Sequence, residues 1–432
     1  MLPTNVLALL ALLAVSPMEA PSTTAAAAST DGHLATDGDL AIDGGLATHV
    51  SRPDIHELLQ LQYVTVVRNA QPSPAETGFL LRRARVSVAG TAFLPSFGYR
   101  AELELAPGSL GPLDLFAELR PAARWSIRFG QVRVPFSRNW TISEDRLTFA
   151  ERSVATEEFR YDYDTGILAN VSFLAKRLQT YFGVFNGAGR NAVGNDNVDP
   201  LFVARVTGTL GSPWRAEEGD LVGTRPPSVT LGVAATLDYV PEPTAYGFSS
   251  GQPLQATAIV ARDTNGNGRP DGVRVFQLEG DLSFRWRGLA VDAEGYFRRE
   301  EWGQIGADQP AAAQFLPKER FGGMFAQATY YVLPARLEAG ARVAVAELSP
   351  LTVDGRQRPA TSCTGADGVP FACALPFTDQ RSELTLVAVG HWFGHGVQVS
   401  GMYSALWYKT ARQDLLPWSR EQRFLAQTQL AF

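Results

Sequence analysis

The residues best equipped for chemistry are the arginines of the stretch Gly130-Gln-Val-Arg-Val-Pro-Phe-Ser-Arg-Asn-Trp-Thr-Ile-Ser-Glu-Asp-Arg-Leu-Thr-Phe-Ala-Glu-Arg-Ser153. Arg133, Arg138, Arg146 and Arg152 each carry a charge that does not titrate at working pH. Each also carries a planar fork of donors that grips an oxyanion through two parallel hydrogen bonds. Such a cluster describes either a surface that meets anions or a segment stapled in place through Glu144, Asp145, Glu151 and Glu157. Other candidates are thinner. Asp263, Asn265, Asn267 and Asp271 occupy positions 1, 3, 5 and 9 of a calcium-loop pattern with Gly268 at position 6, but Arg274 stands where the bidentate glutamate belongs. A turn-rich loop tip is the competing reading. His391 and His395 bracket Trp392-Phe393-Gly394 and are the sole thinkable metal pair among five histidines, but a solvated periplasmic turn is the expected reading. The only two cysteines, Cys363 and Cys373, flank a Gly- and Pro-containing stretch, where an oxidising compartment would let them close a local disulfide. An enzyme would need a nucleophile with a base oriented by a third group. His391 is the only histidine inside an expected strand apart from the first, so an enzyme is not expected, and no cofactor is implied.

The elements that must position these residues are strands. From Asp54 onward, apolar and polar residues alternate with period two in segments of roughly 8 to 12 residues. In Val275–Trp286 one face carries Gln277, Glu279, Asp281, Ser283 and Arg285, and the other carries Phe276, Leu278, Leu282, Phe284 and Trp286. The same pattern predicts strands over 56–67, 79–93, 97–105, 113–120, 125–131, 164–174, 178–185, 202–210, 229–237, 275–286, 289–298, 321–331, 337–345, 383–393, 397–406 and 421–432. These are sixteen segments whose connections alternate between long and short. Bacterial outer-membrane barrels sort their connections this way, with short periplasmic turns and long extracellular loops. The one exception is 211–228, after the eighth strand, which implies a misplaced boundary or one long periplasmic turn. The expected fold is therefore all-β, a 16-stranded antiparallel transmembrane β-barrel. It must close, because an unpaired sheet edge in lipid costs several kcal/mol per group. Trp125, Tyr330, Tyr331, Trp392, Trp407 and Tyr408 near strand ends suit interfacial girdles. By alternation Arg83, Arg85, Arg120, Arg205, Arg285 and Arg342 point into the lumen, alongside Glu102, Glu104, Asp114, Glu118, Glu279, Asp281, Asp292, Glu294 and Glu338.

Composition agrees. The 432 residues carry 38 basic and 44 acidic side chains, a net charge of −6, which argues against a nucleic-acid partner. A mean hydropathy of −0.06 with 45% hydrophobic residues fits neither a disordered chain nor a bundle of membrane helices. Lysine occurs only at Lys176, Lys318 and Lys409. Residues 1–28 read as an export signal, with an apolar run Val6–Val15 and cleavage after Ala20 or within 25–28, although Met1–Asn5 lacks a basic residue. Residues 29–53 contain three Asp-Gly hexads from Asp31, Asp37 and Asp43 and read as a low-complexity linker; 54–432 is the barrel domain.

The string Gly-Gln-Val-Arg-Val-Pro-Phe-Ser-Arg, followed by Arg146-Leu-Thr-Phe-Ala-Glu-Arg-Ser153, resembles the third-loop signature of the phosphate-selective porin O and P family. Leu81-Arg-Arg-Ala-Arg-Val86, Gly183-Val-Phe-Asn-Gly187 and Arg190-Asn191 support the resemblance, which covers about residues 79–212. It implies a trimeric outer-membrane porin whose third loop folds inward and whose Arg133, Arg138, Arg146 and Arg152 line the constriction. Such a channel passes small hydrophilic solutes and ions by passive diffusion, with a preference for anions or phosphate. This chain departs from the family in having no lysine in that loop, so a weakly selective general porin, or an adhesive or structural barrel, stands as the alternative. The expected partners are outer-membrane lipid, small anions or other solutes, two further copies of the chain, and the barrel assembly machinery, which would read the terminal Phe432.

Overall fold

The period-two pattern becomes a closed barrel in the computed structural model, which describes residues 37–40, 48–69, 75–108, 110–195, 198–240, 273–302, 318–347, 361–364, 370–374, 379–410 and 419–432. Its strands are β1 (Asp54–Arg68), β2 (Ala75–Phe93), β3 (Phe97–Glu104), β4 (Gly111–Leu119), β5 (Trp125–Arg133), β6 (Tyr163–Phe173), β7 (Leu178–Phe185) and β8 (Leu201–Gly211). The second half comprises β9 (Ser228–Val240), β10 (Val273–Trp286), β11 (Leu289–Trp302), β12 (Lys318–Leu333), β13 (Leu337–Glu347), β14 (Asp379–Trp392), β15 (Val397–Thr410) and β16 (Arg420–Ala431). Each strand pairs antiparallel with its neighbours in sequence. β16 returns to β1 in a register running from Glu421↔Arg68 to Ala431↔Leu58, which removes every edge of the sheet. All sixteen expected strands are present.

Both faces follow from the pleat. Along β10, Gln277, Glu279, Asp281, Ser283 and Arg285 are buried, while Phe276, Leu278, Leu282 and Trp286 are exposed on the outside. An outer apolar band around an inner polar wall is the arrangement that lipid outside and water inside demand. Trp125, Tyr330, Trp392 and Trp407 are exposed near strand ends. Tyr331, expected beside them, instead faces inward with 4% exposure, because consecutive residues of a strand cannot share a face.

The short connections lie at one end of the barrel. Between β10 and β11 the chain reverses in two residues, Arg287 and Gly288, with φ of 51° and 88°. A two-residue hairpin turn of this kind needs positive φ at both positions, and glycine adopts it without steric cost. At the same end, Asp37–Leu40 pairs with Thr48–Ser51, which pairs with β2 through His49↔Phe93 and Val50↔Ala92. The hexad region read as a linker thus contributes a short strand pair. Thr361–Thr364 pairs with Pro370–Ala374, setting Cys363 opposite Phe371 and leaving Cys373 at an irregularity in the ladder. The side chains of both cysteines, residues 1–28 and the Asp263–Asp271 segment lie outside the described residues.

The third long connection, L3 (residues 134–162), brings the largest apolar cluster into the lumen. Val134, Phe136, Phe159 and Tyr161 of the loop pack on Phe185, Val275, Tyr296, Phe321 and Phe325 of the inner wall. Phe149 and Ala150 pack on Val387, Val389, Met402 and Leu425 across the barrel. Burying such side chains contributes about 1.5–3 kcal/mol each, so this loop has strong reason to fold inward.

Candidate functional site

L3 contains two short helices, α1 (Arg138–Thr141) and α2 (Val154–Phe159), separated by a 3-10 turn at Glu144–Arg146. Serine starts both helices. Ser137 Oγ accepts from the Trp140 amide and Ser153 Oγ from the Thr156 amide, each an N-cap that satisfies a donor the helix leaves open.

Three of the four expected arginines tie L3 in place. Arg133 donates to Tyr163 Oη, to the carbonyls of Trp140 and Ile142 at 2.8 and 3.0 Å, and to Glu144 Oε2 at 3.0 Å. Arg152 donates to the carbonyl of Asn139, to that of Ile142 at 2.8 Å and to Glu144 Oε1 at 3.1 Å. Arg138 reaches across to the wall, with Nε 3.1 Å from Asp281 Oδ1 and Nη2 3.0 Å from Asp292 Oδ1. Arg146 differs. Its side chain is 41% exposed and its sole carboxylate contact among the described residues is Asp145 at 3.8 Å.

The expected wall arginines fall in paired positions. Arg83 donates to Gln60 Oε1 at 2.7 Å, and Arg85 binds Glu104 at 2.7 Å and Glu144 at 2.6 Å. Arg205 binds Glu279 at 2.8 Å and also Asp281. It does so across β9, where Gly232 leaves room: a Cβ there would lie 2.2 Å from Asp281 Oδ2. Arg285 binds Asp292 at 2.9 Å and Arg342 binds Glu383 at 2.8 Å. Arg120 sits just past β4 at the turn end, beside Glu118.

Glu144 is the hub, 3% exposed and within ion-pair distance of Arg85, Arg133 and Arg152. Burial alone would raise its carboxyl. Arg133, Arg85, Arg152 and Arg83 outweigh that and hold it well below the ordinary 4.5. A carboxyl depressed in the folded state stabilises that state above its ordinary value, and the contribution is lost only as pH falls through the depressed folded value. Glu144 therefore still staples L3 at pH 4.5. The expected result is the same channel size in planar bilayers at pH 7 and pH 4.5; a jump in conductance on reaching pH 4.5 would contradict it.

Two water-accessible spaces flank L3. One, of about 340 Å³, is walled by Arg100, Arg128, Arg133, Arg138 and Arg205 against Glu102 and Asp114, with Tyr181 and Trp214 beside them. The other, of about 190 Å³, lies toward β13–β16, with Arg152, Arg342, Arg381 and Arg423 facing Glu151, Glu157, Glu158 and Glu383.

Several of these residues escape a reading by alternation. The β1–β2 register shifts between Gln60 and Leu61, so Arg82 and Arg83 both turn toward Glu151. A bulge flips the face of everything beyond it. Arg128 shared a face with Ser126 and was discoverable from the pattern. His391 is not in a solvated turn. It is 4% exposed on the inner wall, with Nε2 3.2 Å from both Glu338 Oε2 and Tyr331 Oη. His395 contacts Glu217 at 3.1 Å. Among the described residues no group of three or more His, Cys, Asp or Glu is arranged to hold a metal ion.

Residues 60–209 match the family described as phosphate-selective porin O and P. The outer membrane channel DcaP of Acinetobacter baumannii is 10% identical, with a TM-score of 0.54 over 90% of this chain and 99% of that one. OmpT of Vibrio cholerae, expressed in the outer membrane, is 10% identical, with a TM-score of 0.51 over 91% and 100%. In-vitro folded OmpT of Vibrio cholerae, in trimer form, is 11% identical, with a TM-score of 0.50 over 88% and 99%. At such identities the likeness is one of fold. No curated protein matches the chain. With a closed sixteen-stranded barrel and a polar lumen, the chain has the fold of an outer-membrane β-barrel, and its residues 60–209 are similar to the phosphate-selective porin O and P family.

Proposed function

We propose that this porin is a passive, weakly charge-selective channel for small hydrophilic solutes and ions. The observation that carries the proposal is that arginines and carboxylates interleave around L3: Arg133 and Arg152 share Glu144, and Arg138 meets Asp281 and Asp292, at 3.0–3.1 Å, so both signs of charge line the section beside the loop. Charge beyond about 8 Å is screened at physiological salt, so only charge at the constriction sets ion preference. The signature of a phosphate-selective family does not by itself supply a phosphate site, and L3 holds no lysine. A modest anion preference is the second reading. It is favoured by the larger cavity, where five arginines face two acids. As in the OmpT structure solved as a trimer, three copies side by side are the assembly that fits. Phe432, paired with Glu57 at the closure of the barrel, is the residue the assembly machinery would read.

The test is the reversal potential of the reconstituted protein across a KCl gradient, with phosphate titrated against the chloride current. The expected result is a steady conductance, a reversal potential near zero and no block. A strongly anion-selective current blocked by low phosphate would replace weak selectivity with a phosphate site, and absence of any conductance would remove the channel reading.

A further inference from the structure

The connection between β8 and β9, residues 212–227, belongs to the turn end of the barrel, yet it does not stay outside. Glu217, Glu218 and Asp220 are 6%, 1% and 1% exposed, an unusual fate for three acids in a turn. Glu218 accounts for it. One carboxylate oxygen accepts from Asn139 Nδ2 at 2.6 Å, and the other accepts from the Thr148 and Phe149 amides at 2.8 and 3.1 Å. Its own amide donates to the Arg146 carbonyl at 3.2 Å. All four partners are in L3.

The base of the segment is tied to two other turns at the same end of the barrel. Asp220 Oδ2 accepts from the Gly288 amide at 2.7 Å, and Glu217 Oε2 lies 3.1 Å from His395 Nε2. Between them the chain passes so close to the opposite wall that a Cβ on Gly219 would lie 2.5 Å from Glu338 Oε1. Trp214, from the same segment, lines the larger cavity beside Arg138. The segment is therefore wedged under L3 from the turn end and occupies lumen that a two-residue turn would leave to water.

We propose that residues 212–227 form a second constriction of the channel, inserted from the turn end and latched to L3 by Glu218, so that L3 and this turn together set the size limit for solutes. The inference rests on the porin reading above. It is tested in planar bilayers with the full chain, a variant in which 212–227 is replaced by Asn-Gly, and E218A. Asn-Gly suits the hairpin, because Gly211 and Ser228 are already a paired position. Correct closure of each barrel is checked by its β-sheet circular dichroism and heat-dependent gel migration.

In the shortened variant, single-channel conductance is expected to rise by about twofold or more, since the narrowest section dominates the resistance of a pore. Larger neutral polymers should then enter. E218A should show the same change in part, as flicker between two current levels. Unchanged conductance and polymer cut-off in folded variants would overturn it while leaving the porin reading intact. No current from any of the three proteins would overturn both.

Discussion

Replacing Glu144 with Gln is expected to release L3 and make the channel anion-selective without unfolding the barrel. The three guanidiniums that share this carboxylate do not lose equally. Arg85 keeps Glu104 at 2.7 Å, and Arg133 keeps Tyr163 and two carbonyls. Arg152, with a side chain 2% exposed, has no second carboxylate within ion-pair distance among the described residues. Removing one partner of a buried pair costs about 3–5 kcal/mol, because the remaining charge stays desolvated. The strand ladder from β1 to β16 and back does not involve Glu144, so the cost falls on the loop. The shape of the side chain is preserved, so the effect is one of charge. Trypsin should cut the reconstituted variant after Arg146 or Arg152 while leaving the wild type intact. The reversal potential should move toward that of chloride. An uncut loop with an unchanged reversal potential would show that Glu144 neither holds L3 nor balances the constriction.

The barrel was legible because lipid and water impose opposite demands on alternate residues. In β10 that contrast runs from Val275 to Trp286 without a break, and the same contrast located all sixteen strands. The inward course of L3 and its arginines was legible as a resemblance, but their partners were not. Arg138 meets Asp281 and Asp292 across the lumen, pairs far apart in sequence that only closure of the sheet brings together. Arg82 was lost to a bulge. Tyr331 was misplaced by grouping it with Tyr330, although neighbours on a strand face opposite sides. The turn at 212–227 showed in the sequence only as an anomalous length. Its acids, Glu217, Glu218 and Asp220, read as solvent-loving, and nothing local says that loop amides wait for them inside the barrel.

Substituting Arg138 with Met should shift selectivity the opposite way from the Glu144 variant. Met keeps much of the apolar stem and removes the charge. Asp281 retains Arg205, and Asp292 retains Arg285, so each wall acid keeps a guanidinium partner. Glu294 still accepts from Ser137, the Asn139 amide and Tyr296. The constriction is left with one net negative charge more than before, and a cation preference follows. L3 also loses its only charged tie from α1 to the β10–β11 wall among the described residues, so its tip should move and the single-channel conductance should increase. The two variants form a matched pair, each altering the charge by one unit on opposite sides of the same loop. Opposite displacements of the reversal potential would place the ion-selective section at L3. Displacements of the same sign, or none in either variant, would place it elsewhere in the lumen, because a charge outside the narrowest section is screened by the salt around it.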